Sequence, residues 1–166
     1  MIKITDNLLL ETFYNTNNEH LKIYKEFQTN SKSDLINDVE QRLVLSRSVD
    51  NLEYANSYLI KYENNIVGYL YLTAKSKKDS YIYLEMSILK EFRGKHLGRM
   101  LLEEITNYIY EKNTDLREIR FSIDRSNTAS MVASEAAGFY PDDDDYLNKK
   151  IDFIKNNPYY IEKTRK

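Results

Sequence analysis

The chain has 166 residues, which suits one domain with a sizeable core, and a formal net charge of −2, which argues against a general nucleic-acid binder. It has no cysteine and two histidines, so disulfides, thiolate metal sites and a His-rich metal site are excluded. No run approaches the ~18 apolar residues of a membrane helix, and no apolar leader follows Met1, so a cytoplasmic protein without membrane or metal is expected.

Met1 to Thr5 alternates and predicts a short strand, whereas Leu8 to Tyr14 is apolar and ambiguous. Residues 17–29 read as a helix capped by Asn17 or Asn18, with His20 on its surface. After a polar break, Ser33 starts a second helix with Leu35, Ile36, Val39, Leu43 and Val44 on one face. From Ala55 the period changes to two. Tyr58, Ile60 and Tyr62 alternate, Asn64-Asn65 signals a turn, and Ile66 to Thr73 completes a hairpin. A polar loop leads to a strand over Tyr81 to Leu89. Leu97, Leu101, Leu102, Ile105, Tyr108 and Ile109 then recur at helical spacing, to about Glu111.

Leu116 to Asp124 reads as a further strand. Ser126 or Asn127 caps a helix through Ala137, stopped by Gly138. Phe139-Tyr140 is extended, Pro141 and Asp142 to Asp145 form a polar loop, and Lys149 to Lys155 predicts a last strand before Pro158. No repeat or linker divides the chain. It is expected to be a single domain over 1–166, mixed α/β (α+β), with a central, mostly antiparallel sheet flanked by helices.

The turn between the Tyr81 strand and the Leu97 helix carries Arg93, Gly94, Lys95, His96, Gly98 and Arg99. A helix start exposes unpaired N–H groups with partial positive charge. Glycines allow close approach, and cationic side chains add full charge, so the turn suits a phosphate or diphosphate. An ordinary turn with solvated cations has the same spacing.

Arg93-Gly94-Lys95-His96-Leu97-Gly98 resembles the acetyl-CoA signature of the GCN5-related N-acetyltransferases, Arg/Gln-x-x-Gly-x-Gly/Ala, and Ile88 to Phe92 resembles its lead-in. Asn127 to Phe139 resembles the family's second motif, and Ile66-Val67-Gly68-Tyr69 its third strand. The resemblance covers roughly residues 55–140. It implies a GNAT-like fold and transfer of an acetyl group from acetyl-CoA to a primary amine of a small molecule, peptide or protein, in a ternary complex. It further implies that Arg93, Gly94, Lys95, His96, Leu97, Gly98 and Arg99 hold the diphosphate. Backbone of Ile88 and Leu89 would pair with the pantetheine arm, and Asn127 would touch the cofactor besides capping its helix.

Amine acylation needs a neutral nucleophile, so a base must take the ammonium proton. Glu85, on the strand leading into the turn and opposite Leu84, Met86 and Ile88, is the candidate; a solvent-facing charge is the plainer reading. Two positions depart from the family pattern. His96 stands where the signature has glycine, and Ser134 where the family often has a tyrosine that protonates the departing thiolate. That role falls to Ser134, to Tyr140, to water or to nothing. Asp142 to Asp145 reads either as an attractor of cationic amines or as a solvated loop. A catalytically weak CoA-binding sensor or partner-binding module is the alternative, and a homodimer stays open.

Overall fold

The structure, a computed structural model, describes residues 1–13, 18–20, 22, 56–73, 80–94, 96–142 and 149–161. The helix expected from Ser33, most of the one expected at 17–29, and Lys95 and Asp143 to Asp145 lie outside the described residues. The chain gathers into two compact units that divide one strand between them: Met1–Lys77 with Glu85–Arg93, and Lys78–Leu84 with Gly94–Lys166.

The first unit is an antiparallel meander of β1 (Ile2–Lys3), β2 (Leu8–Thr12), β3 (Asn56–Tyr62) and β4 (Asn65–Thr73). Within the ambiguous segment, Leu8–Thr12 is a strand because its register pairs Leu8 with Tyr62 and Leu10 with Ile60. Period-two alternation then buries Leu8 and Leu10 and leaves Leu9 half-buried. The hairpin turn sits one residue earlier than expected. Tyr62 pairs with Asn65, and Glu63 and Asn64 take φ of 50° and 67°. A two-residue turn of this hand needs positive φ at both positions, which splays the strands least. Leu59, Ile60, Val67 and Leu70 are buried at its centre, each contributing about 1.5–3 kcal/mol of burial.

β5 (Tyr81–Ile88) passes from the second unit into the first. In the second unit its start runs parallel to β6 (Glu118–Asp124), from the Tyr81–Glu118 pair to the Tyr83–Arg120 pair. A parallel neighbour requires a crossover, here α1 (Leu97–Lys112), which buries Leu101, Leu102, Ile105, Thr106, Ile109 and Tyr110. β8 (Lys150–Asn156) pairs antiparallel along β6, and β7 (Tyr140–Asp142) pairs antiparallel with β8. Pro141 and Asp142 were expected in a loop. They are strand because β7 is an edge, where a residue without N–H costs no ladder bond. α2 (Thr128–Ala136) stands between β6 and β7, and Gly138 after it takes φ of 94°.

Candidate acyl-CoA site

β5 ends at Ile88, and a single 3-10 turn at Lys90–Phe92 follows. Gly94 (φ 80°) and His96 (φ 56°) are both left-handed, and His96 is the N-cap of α1. Its imidazole makes no capping bond, and the first turn of α1 has no acidic residue. The amide groups at the start of α1 have no acceptor within the helix, so a positive dipole end lies among exposed His96 and Arg99 without an acidic neighbour in that turn. Arg99 Nε lies 3.5 Å from Glu103 Oε1, one turn on.

Two backbone groups at the strand end are already engaged. Leu89 N–H donates to Val67 O at 2.8 Å, inside the first unit. Arg93 folds back and donates from Nε to Ile88 O at 2.9 Å. A carbonyl has a second lone pair, so Ile88 O keeps acceptor capacity while the Leu89 N–H does not remain as a donor.

Asn127, not Ser126, caps α2. Its side chain accepts from Ser130 N at 3.2 Å, while Ser126 binds back to Asp124 through both its N–H and its hydroxyl. These bonds hold the exposed Asp124 carboxyl below its usual range. Ser134 is buried on α2, and its hydroxyl donates to Ser130 O at 2.7 Å. Tyr140 opens β7, is exposed, and its hydroxyl lies 3.2 Å from Asn156 Oδ1. Glu85 is half-buried, two residues beyond the last β5–β6 pair. His20, expected on a helix surface, is buried instead. Its ring stacks on Phe13 at 5.7 Å, and Nε2 lies 3.6 Å from Glu11 Oε1, which gives the buried imidazole a carboxylate partner.

One constellation in the second unit escaped the sequence. Arg120 donates from Nε and Nη2 to Glu118 Oε2 at 2.8 and 2.7 Å, and its Nη1 lies 4.0 Å from Asp142 Oδ2. Its guanidinium stands over the Tyr81 ring at 5.2 Å, and Tyr81 meets Tyr83 edge to face at 5.7 Å. Asp142 and Asp152 are direct cross-strand partners, and Ser122 donates to Asp152 at 2.5 Å. Burial, the largest single influence, works to lower the Arg120 pKa, but Glu118, Tyr83 and Asp142 together hold it above the usual arginine value. The grouping depends on register across β5, β6, β8 and β7, for which neighbouring residues carry no signal.

Among the described residues no group of three or more His, Cys, Asp or Glu side chains is arranged to hold a metal. No helix among them is long and apolar enough to cross a membrane.

A basic turn of left-handed residues that feeds the open end of a helix, on a mixed sheet, fits the class of CoA-dependent transferases. Residues 53–142, which contain both the Arg93 turn and the Asn127 cap, match the family model described as "Acetyltransferase (GNAT) domain". The chain belongs to that family of acetyltransferases. No protein of curated function matches it in sequence.

Solved structures share its fold. The N-acetyltransferase PseH of Campylobacter jejuni is 16% identical, with 90% of this chain and 97% of that one covered and a TM-score of 0.66; it has also been solved in complex with acetyl coenzyme A. The Salmonella typhimurium acetyl transferase that modifies the N-terminal serine of ribosomal protein L7/L12 is 17% identical, over 93% and 98%, with a TM-score of 0.67. The spermidine N-acetyltransferase of Vibrio cholerae, described as dodecameric, is 13% identical, over 97% and 100%, with a TM-score of 0.69.

Proposed function

We propose that the protein transfers the acetyl group of acetyl-CoA directly to a primary amine, in a small molecule or a polypeptide. The single observation that carries this is the family match over 53–142, which takes in the Arg93 to Gly98 turn and Asn127 together. In this reading the amide groups at the start of α1 bind the diphosphate, with Arg93, Gly94, Lys95, His96, Leu97, Gly98 and Arg99 around them. Ile88 supports the pantetheine arm through its carbonyl, and Asn127 contacts the cofactor while it caps α2. Leu89 serves by packing, since its N–H is given to Val67.

Glu85 accepts the ammonium proton, directly or through water, and leaves the amine lone pair free to attack the thioester carbonyl. The carbon–nitrogen bond forms, the carbon–sulfur bond breaks, the nitrogen releases its surplus proton to solvent, and CoA leaves as thiolate, to be protonated. Tyr140, exposed where buried Ser134 is not, is assigned that proton donation, although both hydroxyls already donate, Tyr140 to Asn156 Oδ1 and Ser134 to Ser130 O. The Ser134 geometry also favours a second reading, a CoA-binding module that turns over weakly.

A thiol-release assay over polyamines, amino sugars and peptide N-termini separates the two. Turnover on one of these amines, lost in Glu85→Gln with the KM for acetyl-CoA retained, is the expected result. Full turnover in Glu85→Gln across pH removes Glu85 from its role. If acetyl-CoA at millimolar concentration leaves the melting temperature unmoved, both readings fail.

A further inference from the structure

The side chain of Arg93 reaches back onto the strand it follows, and both ends of that contact belong to the first unit. Three successive carbonyls are engaged there. Leu89 O accepts from Phe92 N at 2.9 Å, Lys90 O from Arg93 N at 3.2 Å, and Ile88 O from Arg93 Nε at 2.9 Å. The bonds to Leu89 and Lys90 come from backbone N–H groups and close the 3-10 turn, so any residue but proline forms them. The bond to Ile88 needs a side chain with a donor at that reach.

The edge to which Ile88 O points follows from alternation along the strand. The N–H and C=O of one residue face one side, and those of the next face the other. Leu89 N–H is given to Val67 O of β4, so Ile88 turns its carbonyl to the opposite edge of β5. The pairs of β5 with β6 end at Tyr83–Arg120, short of that carbonyl. Arg93 therefore holds a carbonyl on a stretch of strand edge where an extended, amide-bearing arm can pair.

We propose that Arg93 is a positioning residue for the pantetheine arm rather than a ligand of the diphosphate. Its Nε fixes the direction of the Ile88 carbonyl, and the second lone pair of that oxygen accepts an amide N–H of the arm. This role rests on the reading of acetyl-CoA as the protein's donor. Without the bond, a half-buried carbonyl at a strand end tilts toward water and has to be ordered when the arm binds. A bond already in place removes that cost. The role requires reach and a donor, not charge. Glutamine carries its amide nitrogen at the same place along the side chain as arginine Nε. Lysine has a methylene there, with its ammonium one bond further out.

The test is calorimetric titration of Arg93→Gln, Arg93→Lys and Arg93→Ala with two ligands. One is acetyl-CoA. The other is adenosine 3′-phosphate 5′-diphosphate, which keeps the diphosphate and lacks the arm. For acetyl-CoA, the Kd of Arg93→Gln is expected within about twofold of wild type, and those of Arg93→Lys and Arg93→Ala about three- to tenfold weaker, the weight of one hydrogen bond. For the nucleotide, the variants and wild type are expected to share one Kd. The proposal is overturned if Arg93→Gln binds acetyl-CoA as weakly as Arg93→Ala, if Arg93→Lys binds it as wild type does, or if the nucleotide loses affinity in step with it. Melting temperatures of the ligand-free variants show whether each folds, and the comparison of Arg93→Gln with Arg93→Lys decides without Arg93→Ala. Wild type that takes up acetyl-CoA in any of these cases keeps the donor reading. Wild type that binds no acetyl-CoA at millimolar concentration loses both.

Discussion

Gly68 of β4 passes so close to Ser87 of β5 that a Cβ on the glycine would stand 2.6 Å from the Ser87 carbonyl oxygen. A backbone carbonyl cannot swing away as a side chain can. One residue before Gly68 and two beyond Ser87, Val67 O accepts from Leu89 N, so this approach fixes where β5 ends and the basic turn begins.

Gly68→Ala is therefore expected to cost about 1–3 kcal/mol by overpacking, read as a lower melting temperature. Gly94→Ala serves as the contrast, because nothing lies within 4 Å of its would-be Cβ. Its cost is backbone conformation alone, about 1–2 kcal/mol for a left-handed residue. Equal melting temperatures for Gly68→Ala and wild type would contradict the close approach.

His96 adopts that same left-handed conformation without glycine's freedom. His96→Gly should raise stability by up to about 1–2 kcal/mol. If the diphosphate is held by amide groups of the turn, its Kd for acetyl-CoA should be no weaker than that of wild type. Calorimetric titration reads the Kd, and a large loss of affinity would mean that the imidazole itself binds.

Tyr110 is buried on α1, and its hydroxyl accepts from Ile119 N at 2.8 Å and donates to Lys155 O. Ile119 and Lys155 are register partners, so the hydroxyl stands inside the β6–β8 ladder. Tyr110→Phe leaves a buried donor and acceptor without it, and should cost about 1–3 kcal/mol in denaturant unfolding at neutral pH.

The same group sets a pH dependence. Burial, the largest cause, pushes the Tyr110 hydroxyl above its ordinary pKa, which lies near 10. Above that pH the unfolded chain has lost a proton that the native state keeps. Stability is thus fully present below about pH 10 and falls as pH rises beyond it. In Tyr110→Phe this alkaline slope should be shallower, measured as melting temperature against pH between neutral and strongly alkaline buffers.

Asn127→Ala removes the cap of α2 and should cost about 1 kcal/mol. If Asn127 also touches the cofactor, its Kd for acetyl-CoA rises, whereas Asn127→Asp keeps the cap. A Kd unchanged in Asn127→Ala would leave it as a cap only.

Much of this is legible in the sequence alone. The Tyr81 strand, the basic turn and the Leu97 helix follow from a change of period around two glycines, because those signals lie between near neighbours. The Asn127 cap and the Gly138 stop were legible for the same reason. Leu8 to Thr12 was not, since three consecutive leucines fit a helix or a strand equally until β3 supplies a partner. Pro141 read as a loop because sequence does not say that β7 lies at an edge.

The sequence by itself determined the acetyltransferase signature and the order of elements from β3 to α2. Only the tertiary structure decided that β8 enters between β6 and β7, that Arg120 is clamped by Glu118 and faces Asp142, that His20 is buried against Phe13, and that Lys155 rests on Thr106. The physical reason is range. Periodicity and capping report forces between residues a few positions apart, while strand order, register and burial arise between segments far apart in the chain.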